Sequence, residues 1–121
     1  MIDYAIYLIF SGDRVLMRQR TEAMLKGLWV FPMAEGKLTV RQVPTVVKKL
    51  TKLAVKDVRS VGEAKHVFTH QLWQMQLYTM AVPADVEAPT GYRFIPVGEM
   101  DNLAIPTAVK AAVKAVKEFG K

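Results

Sequence analysis

The sequence predicts an α+β domain in which one mixed sheet carries a helix on each face. Three observations support this. Apolar and β-branched runs of strand length are separated by Gly, Pro and Asp turn signals, with a helical spacing of apolar residues after Pro44 and another after Thr107. The order of these elements is hairpin, strand, helix, strand, long strand, short strand, helix, so sheet and helices interleave along the chain. A length of 121 residues, 51% of them hydrophobic, suits one core, so residues 1–121 are expected to form a single domain.

Residues 4–10 and 14–20 are aliphatic and aromatic runs around Ser11-Gly12-Asp13, a hairpin signal. A loop from Thr21 to Lys26 leads to a short strand, Leu28 to Phe31, which Pro32 breaks. Ala34-Glu35-Gly36-Lys37 is expected to turn. Pro44 fits the first turn of a helix, with Val46, Val47, Leu50, Leu53 and Ala54 on one face and Lys48, Lys52 and Lys56 on another at i, i+4, i+8. Strands are expected at about 57–68 and 72–82, the second alternating Leu72, Gln74, Gln76 and Tyr78 with Trp73, Met75, Leu77 and Thr79. Pro83 ends it, and Pro96 closes a short strand from Tyr92 to Ile95. The last helix is expected from Thr107 to about Phe119, with Val109, Ala112, Val113, Val116 and Phe119 inward and Lys110, Lys114 and Lys117 outward; Gly120 stops it.

Seventeen Lys and Arg against eleven Asp and Glu give a net charge of +6, which favours polyanionic partners without naming one. Between residues 37 and 59 stand Lys37, Arg41, Lys48, Lys49, Lys52, Lys56 and Arg59 against Asp57 alone, which makes one side basic. The absence of cysteine excludes disulfides, thiolate metal sites and a Cys nucleophile, and suits a reducing compartment. No apolar run approaches the ~20 residues that cross a bilayer, and no signal peptide pattern opens the chain, so no membrane partner is expected. No Ser-His-Asp order, glycine-rich phosphate loop or CxxC pattern stands out.

Four blocks follow one another along the chain: Val15-Leu16-Met17-Arg18-Gln19-Arg20, Met24-Leu25-Lys26-Gly27-Leu28-Trp29-Val30-Phe31-Pro32, His66-Val67-Phe68-Thr69-His70-Gln71-Leu72, and Leu103-Ala104-Ile105-Pro106-Thr107. In order and spacing this set resembles the C-terminal domain of MutY-type adenine DNA glycosylases, over nearly the whole chain. The resemblance implies a Nudix-like α/β/α sandwich without Nudix hydrolysis, which reads 8-oxoguanine opposite adenine in base excision repair. It also implies a separate helix-hairpin-helix catalytic domain, in cis or in trans, that removes the adenine. An iron–sulfur cluster is expected only in that other domain, with no cofactor in this one. Localisation would be cytoplasmic and nucleoid-associated in a bacterium, or nuclear in a eukaryote.

Active Nudix hydrolases hold Mg²⁺ on a helix whose core reads Arg-Glu-hydrophobic-any-Glu-Glu. Laid on that core, Lys48-Lys49-Leu50-Thr51-Lys52-Leu53 puts Lys49, Lys52 and Leu53 at the glutamate places. A hard divalent cation needs oxygen ligands, and ammonium groups repel it. No metal ligands are therefore assigned, nor any catalytic residue.

Phe68-Thr69-His70 matches the family's Phe-Ser/Thr-His loop, which in the family touches the oxidised base. The N7 of guanine is an acceptor, whereas 8-oxoguanine carries a hydrogen there, so a hydroxyl such as that of Thr69 can accept from the lesion. His70 would orient the loop or reach a phosphate, and Phe68 would anchor it in the core. The plain alternative is a strand end turning into its neighbour. Lys48, Lys52 and Lys56 are first a solvated helix face and second a set of phosphate contacts. His66, Trp29 and Trp73 are expected to be structural, while Arg18 and Arg20 share a face that is either solvent or a pocket. Two other functions compete: a degenerate Nudix hydrolase acting on an oxidised nucleotide or other nucleoside diphosphate through Glu63 or Glu99, and a non-catalytic domain for nucleotide sensing or protein interaction.

Overall fold

The structure, a computed structural model, describes residues 1–120. Strand β1 (Ile2–Ser11) turns through Gly12-Asp13 into β2 (Arg14–Gln19). Gly12 takes φ 61°, a left-handed angle that glycine adopts without strain. Short strands β3 (Trp29–Val30) and β4 (Met33–Glu35) precede helix α1 (Val43–Thr51). The long strands β5 (Lys56–Val67) and β6 (Leu72–Ala81) follow, then β7 (Arg93–Pro96), a 3₁₀ segment (Val97–Asn102), a 3₁₀ turn (Thr107–Val109) and helix α2 (Lys110–Phe119).

The sheet runs β3-β2-β1-β6-β5, with β4 on β1 and β7 on β2. β1 and β6 are parallel, from Ile2 opposite Trp73 to Phe10 opposite Ala81, and the other pairings are antiparallel. β1 is buried on both faces from Ala5 to Ile9 and β6 from Leu77 to Met80, where the sequence reads as a near-continuous apolar run, whereas the first half of β6 alternates, with Gln74 and Gln76 only partly buried. On one face Ile6, Leu8, Met75 and Leu77 pack with Ala112, Ala115 and Val116 of α2. On the other, Tyr7, Ile9, Tyr78 and Met80 pack with Val43 and Val47 of α1. The mixed sheet is thus flanked by two main helices, the expected α+β sandwich. Among the described residues no helix is long and apolar enough to cross a membrane.

Several local expectations are corrected. Residues 33–35 form a strand on β1 where a turn is expected, because tertiary pairing with Tyr4, Ala5 and Ile6 supplies partners that local propensity cannot show. Helix α1 is shorter than its spacing suggests. Thr51 donates its hydroxyl to Val47 O at 2.8 Å and accepts the Leu53 N–H at 3.3 Å, while Lys52 turns left-handed at φ 66° and donates its N–H to Lys48 O. Leu53 and Ala54 therefore lie beyond the helix, and Leu50 is exposed. Pro44 does sit in the first turn, with Gln42 Oε1 accepting the Thr39 N–H at 2.9 Å. At the other end of the chain the first turn from Thr107 is 3₁₀, Ala115 is buried, and Phe119 is half-exposed rather than inward.

Candidate nucleic-acid interface

The loop Phe68–Gln71 joins β5 to β6 and is closed by the Phe68 N–H donating to Gln71 O at 2.6 Å. Four aromatic rings hold its base. Phe68 stands edge-on to Trp73 with centroids 4.9 Å apart, His66 meets Phe68 at 4.6 Å, and Tyr4 meets Trp73 at 4.8 Å. Trp73 is fully buried and donates its indole N–H to Gln71 Oε1 at 3.1 Å. Edge-to-face pairs of this kind contribute about 0.5–1.5 kcal/mol each beyond their buried area. The loop base is therefore rigid, and Thr69 and His70 are exposed at its tip. Phe68 is half-buried and packs on the core cluster, and His66 packs edge-on against the Phe68 ring.

The four sequence blocks meet in space. Met17 belongs to one core cluster on which Met24, Leu25, Trp29, Phe68, Leu103 and Ile105 all pack. The Trp29 N–H donates to Ala104 O at 2.8 Å, which ties the last block to β3. Arg18 and Arg20 grip the 21–27 loop. Arg18 forms a two-pronged pair with Glu22, and Arg20 Nε donates to Met24 O at 2.9 Å. That pairing holds the Glu22 carboxyl down to about 2, through the hydrogen bond from Arg18 first.

Lys48, Lys52 and Lys56 do not form the helical stripe that their spacing suggests. Lys48 lies in the last turn of α1, Lys52 is its left-handed cap, and Lys56 opens β5. Lys48 and Lys49 complement the negative end of the helix dipole, which gives them a structural role. Lys56 stands at the start of the 12-residue strand whose far end leads into Phe68, roughly 35 Å away at ~3.3 Å per residue. The structure thus brings Phe68, Thr69 and His70 together and leaves the three lysines at the other end of β5.

Lys37, from the basic segment, and Lys65, which composition does not single out, lie closer to the loop. They line a hollow of about 430 Å³ with Asp3, Glu63, Gln74 and Gln76. Pairing of Asp3 and Lys65 with Gln74 puts this hollow one register step from Trp73 and His66. Asp3 Oδ1 is buried there without a hydrogen-bond partner among the described residues. The pleat hides this grouping in the sequence, since its members come from β1, β5, β6 and the segment after β4.

The residues at the Mg²⁺ positions do not fit a divalent cation. The places of the box glutamates hold Lys49, Lys52 and Leu53, and Lys52 has left the helix. Among the described residues no three His, Asp or Glu side chains converge as a metal site requires. Glu63 on β5 and Glu99 beyond β7 stand at opposite edges of the sheet and cannot share an ion.

The NUDIX domain family matches residues 5–115. The adenine DNA glycosylase of Mus musculus is 29% identical over 117 residues, covering 89% of this chain and 22% of that protein. The Rattus norvegicus protein of the same name is 28% identical over 117 residues, covering 89% of this chain and 23% of that one. The chain therefore spans less than a quarter of either relative's length. Among solved structures, the C-terminal domain of mouse MUTYH, crystallised with human PCNA, superposes with a TM-score of 0.76 at 23% identity, covering 98% of this chain and 88% of that one. The NUDIX domain of Shewanella oneidensis NrtR, crystallised with ADP ribose, gives 0.77 at 12% identity, covering 98% and 87%. At such identities these structures speak for the fold, and with the family match over most of its length the chain belongs to the NUDIX domain family, with sequence similarity to the adenine DNA glycosylases of mouse and rat.

Proposed function

We propose that this domain reads 8-oxoguanine opposite adenine in duplex DNA, while a helix-hairpin-helix glycosylase domain, in cis or in trans, flips out and removes the adenine. The observation that carries the proposal is the loop Phe68–Gln71, whose base is fixed by aromatic packing while Thr69 and His70 stand exposed at its tip. Fixed polar groups on a rigid base lose little entropy on contact. Thr69 Oγ1 accepts from the N7–H of the lesion, where guanine would oppose two acceptors. His70 serves the phosphate or orients the loop. Lys37 and Lys65 support the backbone nearby better than Lys48, Lys52 and Lys56, which lie at the far end of β5. Any iron–sulfur cluster belongs to the glycosylase domain. In this proposal the domain hydrolyses nothing, because Lys49, Lys52 and Leu53 replace the ligands for Mg²⁺.

Equilibrium binding to duplexes with 8-oxoguanine or guanine opposite adenine, at low and moderate salt, tests the proposal. Tighter, salt-sensitive binding to the lesion is expected, with Thr69→Ala erasing a preference of roughly tenfold to a hundredfold. If the isolated chain binds too weakly, the comparison is made with the domain joined to a glycosylase partner. Equal affinity for both duplexes there overturns the proposal.

The polar hollow beside the loop favours a second function, nucleotide sensing without turnover. Saturable binding of a free nucleotide, weakened by Gln74→Ala and without phosphate release, would support it. Mg²⁺-dependent phosphate release from oxidised dGTP would instead restore the hydrolase alternative.

A further inference from the structure

The sheet is broader than the helix that covers it. Helix α2 packs on β1 and β6, and between it and the edge strand β5 runs a groove of about 600 Å³. Its floor is apolar, from Ala64 and Met75 on the sheet to Ala111 and Val113 on the helix. Its rim is cationic. Lys65 stands on the strand side and Lys110, Lys114 and Lys117 on the helix side. Lys117 is held by Asp101 at 2.7 Å, whereas Lys65, Lys110 and Lys114 have no ion-pair partner among the described residues.

The two halves of this groove select one kind of occupant. A phosphate backbone gains nothing from the apolar floor, and a neutral apolar ligand gains nothing from the lysines. A peptide whose carboxylates flank apolar side chains uses both. The edge of β5 adds a third element. Among the described residues β5 pairs only with β6, so one row of its backbone donors and acceptors faces outward. Irregularities at Lys56/Arg59 and Ser60/Gly62 interrupt its first half, but from Glu63 to Val67 the register is unbroken. Lys65 blunts that edge against neutral strands while attracting an acidic one.

We propose that the groove between α2 and β5 is a docking site for an acidic segment of a protein partner, with apolar side chains anchored on the floor. The site uses neither Thr69 nor His70 and shares only Lys65 with the surface proposed to meet DNA.

The probe is a short fluorescein-labelled peptide in which Asp alternates with Leu and Phe, followed by anisotropy and amide chemical shifts. Binding is expected to fall about tenfold or more when Lys replaces Asp, when Ser replaces Leu and Phe, and in Ala111→Glu. The surface double variant Lys110→Glu/Lys114→Glu, checked for an unchanged melting temperature, is expected to reverse the preference toward the Lys peptide. Shift changes are expected at Ala64, Lys65 and Ala111. Equal binding of both peptides, indifference to charge reversal, or shifts centred on Thr69 and His70 overturns the proposal. Preference of the groove for duplex DNA over the acidic peptide also overturns it and assigns the lysines to phosphate.

Discussion

The Phe68 ring stands at 62° to the Trp73 indole, and Trp73 also donates to Gln71 three residues beyond Phe68. One buried side chain thus secures both ends of the β5–β6 loop, which separates residues that hold the loop from residues that it displays.

Phe68→Ala is expected to cost about 1–3 kcal/mol of stability, below the range for a fully buried Phe because Phe68 is only half-buried. Thr69→Ala should change stability by no more than ~0.5 kcal/mol, as an exposed position with no packing role. Denaturant melts of both variants, set beside their lesion binding, check this division. Stability losses of equal size would show that Thr69 is structural.

Tyr7 is fully buried, and its hydroxyl has no hydrogen-bond partner among the described residues. Removing such an unpaired group while keeping the ring should stabilise, so Tyr7→Phe is expected to gain about 1 kcal/mol in urea unfolding. Burial first, and then Tyr78, pushes the Tyr7 hydroxyl from 10.0 up to about 12. A group whose pKa is raised in the fold contributes stability below its unfolded value and loses it above. The native chain should therefore weaken between pH 10 and about 12, and Tyr7→Phe should weaken less over that window.

Glu22 shows the opposite sign. Its carboxyl, lowered from 4.5 to about 2 by Arg18, stabilises the fold above pH 4.5 and loses that contribution as the pH falls toward 2. Because its side chain is 45% exposed, solvent screens the pair, and Glu22→Gln is expected to cost under ~1 kcal/mol at neutral pH. Melting temperatures of the two chains should converge by about pH 2.

Lys52 ends α1 at φ 66°, where a Cβ is crowded. Lys52→Gly is expected to raise stability by about 0.5–1 kcal/mol, and Lys52→Val to lower it, by thermal unfolding.

The sequence by itself determined what local pattern and chemistry encode. Gly12 and Asp13 announce the first hairpin, Pro44 the start of α1, and Lys49, Lys52 and Leu53 the loss of carboxylate donors. The resemblance carried by the four blocks set the fold and family. Tertiary structure decided what depends on partners distant in sequence. The strand at Met33–Glu35 exists because β1 offers it a free edge, and α1 stops at Thr51 through a left-handed cap that helical spacing does not reveal. Lys48, Lys52 and Lys56 look like one stripe until Lys56 is seen to open a strand. The hollow of Asp3, Lys37, Glu63, Lys65 and Gln74 has no linear signature, and of the groove beside α2 the sequence shows only the outward Lys110, Lys114 and Lys117, not the apolar floor they rim. Each is assembled by pairing across strands or by a helix narrower than its sheet, and such pairing is a property of the folded chain.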